Sequence, residues 1–144
     1  MFNVILISHG PLSKAILESA ELICGKQEHV QTLGLYVEDS VEEFRHKVAE
    51  TIHASCEQGD TLVVTDIMSG SPFNATCAAM EFEDFQHITG MNLAMVITVL
   101  LDRVDTPIEE VCNTAVMCAP DSIKYVNKML EEDVEDSEGD EFLL

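Results

Sequence analysis

Basic residues are scarce in this sequence: 7 Lys and Arg stand against 27 Asp and Glu in 144 residues, for a formal net charge of −20. So few cations exclude a nucleic-acid backbone or an anionic membrane as partner and favour a basic or weakly charged protein face. Paired cysteine motifs are missing too. Cys24, Cys56, Cys77, Cys112 and Cys118 are odd in number and none are spaced C-x-x-C, which argues against a disulfide framework and a zinc site. They read instead as small core residues in a reducing compartment. The opening MFNVILISHG has no basic segment before its apolar run and no small-residue cleavage site, so no signal peptide is expected. The most apolar later run, Leu93–Leu101, is far short of the ~20 residues of a membrane helix. The expectation is a cytoplasmic protein with no direct membrane insertion.

What is present suits one folded domain. Apolar residues make up 47% of the chain, enough for a single core, and domains usually run ~100–200 residues. Residues 131–144 (EEDVEDSEGDEFLL) hold eight acidic side chains and no basic one. Such a block reads as a solvated, disordered tail behind a domain spanning residues 1–130.

Hydrophobic patterning alternates strand and helix. Phe2–Ile7 reads as a buried strand ended by Ser8-His9-Gly10-Pro11; the following Leu12, Ala15, Ile16, Ser19, Ala20 and Ile23 mark one helical face, stopped by Gly25. Val30–Val37 is a second strand, and Ser40 with Glu43 forms a capping pattern for a helix carrying Val41, Phe44, Val48 and Ile52. Thr61–Thr65 is a third strand, ended by Asp66, and the turn Ile67–Pro72 leads to a helix at Phe73–Phe82. Phe85–Thr89 reads as a fourth strand, with helices at Leu93–Leu101 and Pro107–Met117; Ile123–Leu130 suits either state. Strands apolar on both faces imply an α/β fold: a mainly parallel open sheet with helices on both faces.

Ligands of such a sheet gather at the carboxyl ends of its strands, where strand order reverses. Two polar turns lie at strand ends: Ser8-His9-Gly10 and Asp66 to Ser71. His29, His46, His53 and His87 read as ordinary surface or partly buried histidines. His9 differs, because it closes a buried strand beside the start of a helix, whose amides favour an anion; it is either a reactive group or a histidine that merely ends a strand. Asp66, if near, could fix one imidazole nitrogen and leave the other as a nucleophile, or it is a solvated turn residue. Ser69, Gly70 and Ser71 suit a phosphoryl group needing several donors; a plain helix cap by Ser71 explains the same letters. No Walker loop and no G-x-G-x-x-G is present, which disfavours nucleotide binding.

Together, Ser8-His9-Gly10 and Asp66-Ile67-Met68-Ser69-Gly70-Ser71-Pro72-Phe73-Asn74, with Gly90-Met91-Asn92-Leu93, resemble the mannose-family IIA component of the bacterial phosphoenolpyruvate-dependent sugar phosphotransferase system. The resemblance covers residues 1–130. It implies a cytoplasmic phosphocarrier in which His9 accepts a phosphoryl group from the histidine carrier protein HPr and passes it to a histidine of a IIB component. Membrane components IIC and IID follow indirectly, and sugar uptake is coupled to phosphorylation. Asp66 matches the acidic partner of the histidine, Ser71 the serine near the phosphoryl group, and Gly10, Ser69 and Gly70 the surrounding turns. No cofactor and no metal are implied. The resemblance also implies an antiparallel C-terminal strand swapped within a homodimer, which would make Ile123–Leu130 a strand. Ser69 departs from the pattern, which has glycine there.

Two other readings use the same residues. A phosphohistidine hydrolase of the phosphoglycerate-mutase type also places histidine after its first strand, but directly behind an arginine. Ser8 stands there, and the arginines are Arg45 and Arg103 alone. A regulatory phosphohistidine sensor of the same fold would share every motif; labelled phosphate chased onto a IIB protein separates carrier from sensor.

Overall fold

The computed structural model describes residues 1–136. Its elements alternate as β1 (Asn3–His9), α1 (Leu12–Cys24), β2 (Val30–Leu35), α2 (Val41–Gln58), β3 (Thr61–Thr65), α3 (Ser71–Ala79), β4 (Gln86–Thr89), α4 (Leu93–Asp102) and α5 (Ile108–Cys118). A 3₁₀ turn at Ala119–Ser122 and helix α6 (Val126–Asp136) follow. The four strands pair in parallel in the order β2-β1-β3-β4. The chain therefore leaves β1 to one side for β2 and returns on the other for β3, which puts the reversal of strand order between β1 and β3.

Period-2 alternation divides the strands between two cores. Val4, Leu6, Leu62, Val64 and Ile88 face Ile16 and Ala20 of α1, Met95, Val96, Val99 and Leu100 of α4, and Val111 and Ala115 of α5. Ile5, Ile7 and Val63 face Phe44, Val48 and Ile52 of α2 and Ala75 and Ala79 of α3. Helices cover both faces, as the patterning predicts. The cap expected at Ser40 is in place, and Asn92, expected only as part of a loop, supplies another. Ser40 Oγ accepts from the Glu43 amide at 3.2 Å, and Asn92 Oδ1 opens α4 by accepting from the Met95 amide at 3.0 Å.

The N-terminal end of the sheet is locked by a buried cation. Arg103, 1% exposed, follows α4 and donates from Nη1 to the Phe2 carbonyl at 2.9 Å and the His29 carbonyl at 3.3 Å. Its Nη2 donates to Gln27 Oε1 at 3.0 Å and the Glu28 carbonyl at 2.6 Å. One planar fork thus ties α4 to the entries of β1 and β2.

Some element bounds and the C-terminal segment differ from expectation. Strand β1 runs on to His9, and α3 starts at Ser71 and ends at Ala79. The C-terminal antiparallel strand expected at Ile123–Leu130 is not seen among the described residues, where Val126–Asp136 is helical and every strand pair is parallel. The residues explain this: Asn127 to Glu132 are mostly unbranched helix formers, and Val126, Leu130 and Val134 recur every four residues along one side. Helix α6 also crosses the boundary expected at residue 130, so residues 131–136 are helical; residues 137–144 lie outside the described residues.

Candidate active site

The two polar turns meet because β1 and β3 are adjacent, with Ile7 beside Thr65. His9 is the last residue of β1, and Asp66 directly follows β3. A single oxygen, Asp66 Oδ2, accepts from both the His9 main-chain N–H and His9 Nδ1, each at 2.8 Å. The other carboxylate oxygen accepts from the Ile67 amide at 2.9 Å. Burial alone would push the Asp66 carboxyl up, but the N–H groups of the His9 main chain, the His9 ring and Ile67 outweigh it and hold the group below the usual carboxylate value. An ionised carboxylate can only accept. Nδ1 therefore carries a proton, and in the neutral ring the lone pair falls to Nε2.

The ring stands at the surface: the His9 side chain is 46% exposed, its Asp66 partner 8%. Its free edge meets the turn that opens α3. Gly70 caps that helix with φ +90, and a Cβ there would lie 2.9 Å from His9 Cε1 and 3.0 Å from Nε2. Only glycine lets the chain pass so close to the ring. Because Gly70 is the cap and no side chain caps α3, the Ser71 hydroxyl is not committed to that task. The first N–H of α3 with a helical acceptor is that of Asn74, bonded to the Gly70 carbonyl at 2.9 Å. The Ser71 and Phe73 amides precede it, and Pro72 has none to offer. A polar, electropositive helix end thus adjoins Nε2 of His9.

The first turn is built differently from what its letters predict. Ser8 is fully buried, and its Oγ accepts from the Ser13 amide at 2.8 Å, capping α1 from outside the helix. One amide expected to face an anion is therefore occupied. The Gly10 N–H donates to the Leu35 carbonyl at 2.7 Å, drawing this turn onto the end of β2. There a Cβ on Gly34 would collide with the Gly10 carbonyl oxygen. Neither Ser8 nor Gly34 stands out in sequence; a glycine inside an apolar strand is the one available signal of close backbone approach. Ser69 is exposed and outside the positive-φ set, so a serine suits its backbone without strain.

Of the other histidines, His46 and His53 are exposed on α2 near Glu50 and Glu57, respectively, and His53 also meets Glu83. Among the described residues no group of three or more His, Cys, Asp or Glu side chains is arranged to hold a metal. Among the same residues no helix is long and apolar enough to cross a membrane.

The sequence model of the EIIA-man family, described as the PTS system fructose IIA component, matches residues 3–116. The fructose-specific EIIA component of the phosphotransferase system of Bacillus subtilis is 23% identical over 132 residues, covering 91% of this chain and 90% of that protein. The mannose-specific EIIAB component of Escherichia coli K12 is 26% identical over 123 residues, 84% of this chain; the match spans 38% of that longer protein. In structure, the phosphotransferase component EIIA of Streptococcus agalactiae superposes with a TM-score of 0.79 at 24% identity, covering 89% of this chain and 99% of that one, a likeness of fold. The match over most of the folded region makes this chain a member of the EIIA-man family, a IIA component of the sugar phosphotransferase system.

Proposed function

We propose that His9 is the phosphoryl acceptor of this component. The observation that carries the reading is the double hold of His9 by Asp66 Oδ2, which in the neutral ring directs the lone pair to Nε2, beside the start of α3. In the forward step the Nε2 lone pair attacks the phosphorus of a phosphohistidine on HPr. The N–P bond on HPr breaks, its electron pair returns to the HPr imidazole, and the new N–P bond forms on His9. The His9 ring becomes cationic while keeping its Nδ1 proton, and the ionised Asp66 balances that charge. Little covalent work falls to the protein, since phosphoryl transfer depends on in-line placement and charge stabilisation. The Ser71 and Phe73 amides, with the Ser71 hydroxyl, supply donors for the phosphoryl oxygens, and Gly70 admits the group beside the ring. Gly10 and Ser69 shape the turns on either side.

Transfer onward to a histidine of a IIB component reverses these events, and IIC and IID complete the route for sugar. An exposed nucleophile suits protein donors and acceptors better than a small substrate held in a cavity. The chain also has exposed apolar side chains at Val116, Met117, Ile123, Tyr125 and Val126, available to the contact of a homodimer. The deciding experiment incubates the protein with labelled phosphoenolpyruvate, enzyme I and HPr. Wild type takes acid-labile phosphate and His9→Ala takes none; an unlabelled wild type, or a labelled His9→Ala, overturns the reading.

A further inference from the structure

Strand β4 brings three polar side chains together on the α3 side of the sheet. Val63 pairs with His87 and Thr65 with Thr89, so all four residues share one face. Thr65 is fully buried, and its Oγ1 donates to Thr89 Oγ1 at 2.9 Å and meets His87 Nε2 at 2.9 Å. A hydroxyl has one proton. With that proton directed to Thr89, the Thr65 oxygen accepts from His87 Nε2–H, which fixes the tautomer of His87. Burial lowers the His87 pKa to about 4, so the ring is neutral at neutral pH.

The same ring has a second contact. It lies against Phe73 with centroids 5.3 Å apart and planes inclined at 42°. Phe73 sits in the first turn of α3, two residues after Ser71, and Thr65 is covalently joined to Asp66. One side chain therefore touches both arms of the site. The Asp66 arm is pinned further by the Gly90 amide on the Asp66 carbonyl and the Met91 amide on the Thr65 carbonyl, both at 3.1 Å. An apolar residue at position 87 would fill the space without requiring threonine partners, whereas the fully buried Thr65 hydroxyl is tolerated only when its bonds to the half-buried His87 and Thr89 are made.

We propose that His87 is a positioning residue for phosphoryl transfer, holding the strand end that carries Asp66 and the helix start that carries Ser71 at the separation in-line transfer needs. The proposal rests on the reading of His9 as phosphoryl acceptor. Misplacement by ~1 Å can cost about 100-fold in rate. Loss of His87 keeps the Asp66 and Ser71 side chains but loosens the spacing between them, so the effect should be smaller, about 10-fold.

The test measures transfer from phospho-HPr to the purified full chain, with far-UV circular dichroism and denaturant midpoints as folding controls. Labelling of wild type at His9 comes first: its failure overturns the underlying reading, independently of anything His87 does. Given a labelled wild type, His87→Leu lowers kcat about 10-fold with KM changed less than about twofold. His87→Gln, whose amide N–H reaches the Thr65 oxygen, recovers to within about threefold of wild type. Thr65→Val removes the acceptor and reproduces the loss, and the double variant is no slower than either single one. If His87→Leu does not fold, Thr65→Val and His87→Gln carry the comparison. Wild-type kcat in His87→Leu or Thr65→Val, equal slowing in His87→Leu and His87→Gln, or an effect confined to KM overturns the proposal.

Discussion

Asp66 Oδ2 holds His9 at two points of the same residue, the main-chain N–H and ring Nδ1, both at 2.8 Å. The carboxylate therefore fixes where the β1 end lies as well as which way the imidazole turns. Asp66→Asn keeps one acceptor but replaces the other oxygen with an N–H₂ donor, so it cannot satisfy His9 and Ile67 together. Loss of the fixed tautomer and of the counter-charge should slow phosphorylation at His9 by at least about 100-fold, read as initial labelling rate at saturating phospho-HPr.

Gly70→Ala tests the close approach of the second turn. Its Cβ would press on His9 Cε1 and Nε2, and the backbone at φ +90 is itself unfavourable for alanine. Strain of this kind costs about 1–3 kcal/mol, so the denaturant midpoint should fall. Labelling of the folded fraction should fall further still, because the methyl group occupies the approach to the reactive nitrogen. A folded Gly70→Ala that labels at the wild-type rate would place the incoming phosphoryl group elsewhere.

Two pH windows should separate in unfolding experiments. The His87 pKa lies at about 4 in the folded protein against 6.5 in the unfolded chain, so as pH falls through 6.5 the unfolded chain takes up a proton that the folded protein refuses. Its contribution to stability is full above pH 6.5 and declines down to about 4. Asp66, held below its ordinary 3.8, contributes fully above that value and loses its contribution as pH falls further. The stability difference between wild type and His87→Gln should therefore vary with pH between 6.5 and 4, whereas that between wild type and Asp66→Asn should change below about 4.

Arg103 lies at the far end of the sheet from His9. Arg103→Lys keeps the charge but loses the planar fork, leaving the buried Phe2 carbonyl and the part-buried Glu28 carbonyl short of a donor, while His29 keeps the Val4 amide. Each unsatisfied group costs about 1–3 kcal/mol, and a loss of at least about 2 kcal/mol is expected in denaturant unfolding. The folded fraction should take phosphate at the wild-type rate, which a phosphorylation assay in the absence of denaturant checks.

Much of this architecture was legible in the sequence because its signals are local. Thr61–Thr65 is apolar on both faces and ends at a charged residue, and Ser40 stands three residues before Glu43; each states its element within a few letters. His9 and Asp66 were legible as a pair once both were placed at strand ends, because adjacent parallel strands bring such ends together. What stayed hidden depends on contacts between distant segments. Ser8 caps α1 across the Gly10-Pro11 turn at a spacing outside the usual capping pattern, and Gly34 answers to a carbonyl 24 residues earlier in the chain. Thr65, His87 and Thr89 look like ordinary strand residues until β3 and β4 are set in register. The C-terminal segment was the least determined, since Ile123–Leu130 has too few alternating residues to choose a strand and enough unbranched ones to continue as a helix.

The strand order has a consequence for incompletely folded chains. His9 and Asp66 are 57 positions apart in the chain, with α1, β2 and α2 between them, and they meet only once β1 and β3 lie side by side. A nascent or partly opened chain exposes the imidazole without its carboxylate partner and without Gly70 and α3 beside it. With His9 as the proposed phosphoryl acceptor, such a chain would offer a donor only an ordinary surface histidine, and phosphorylation would be confined to folded molecules.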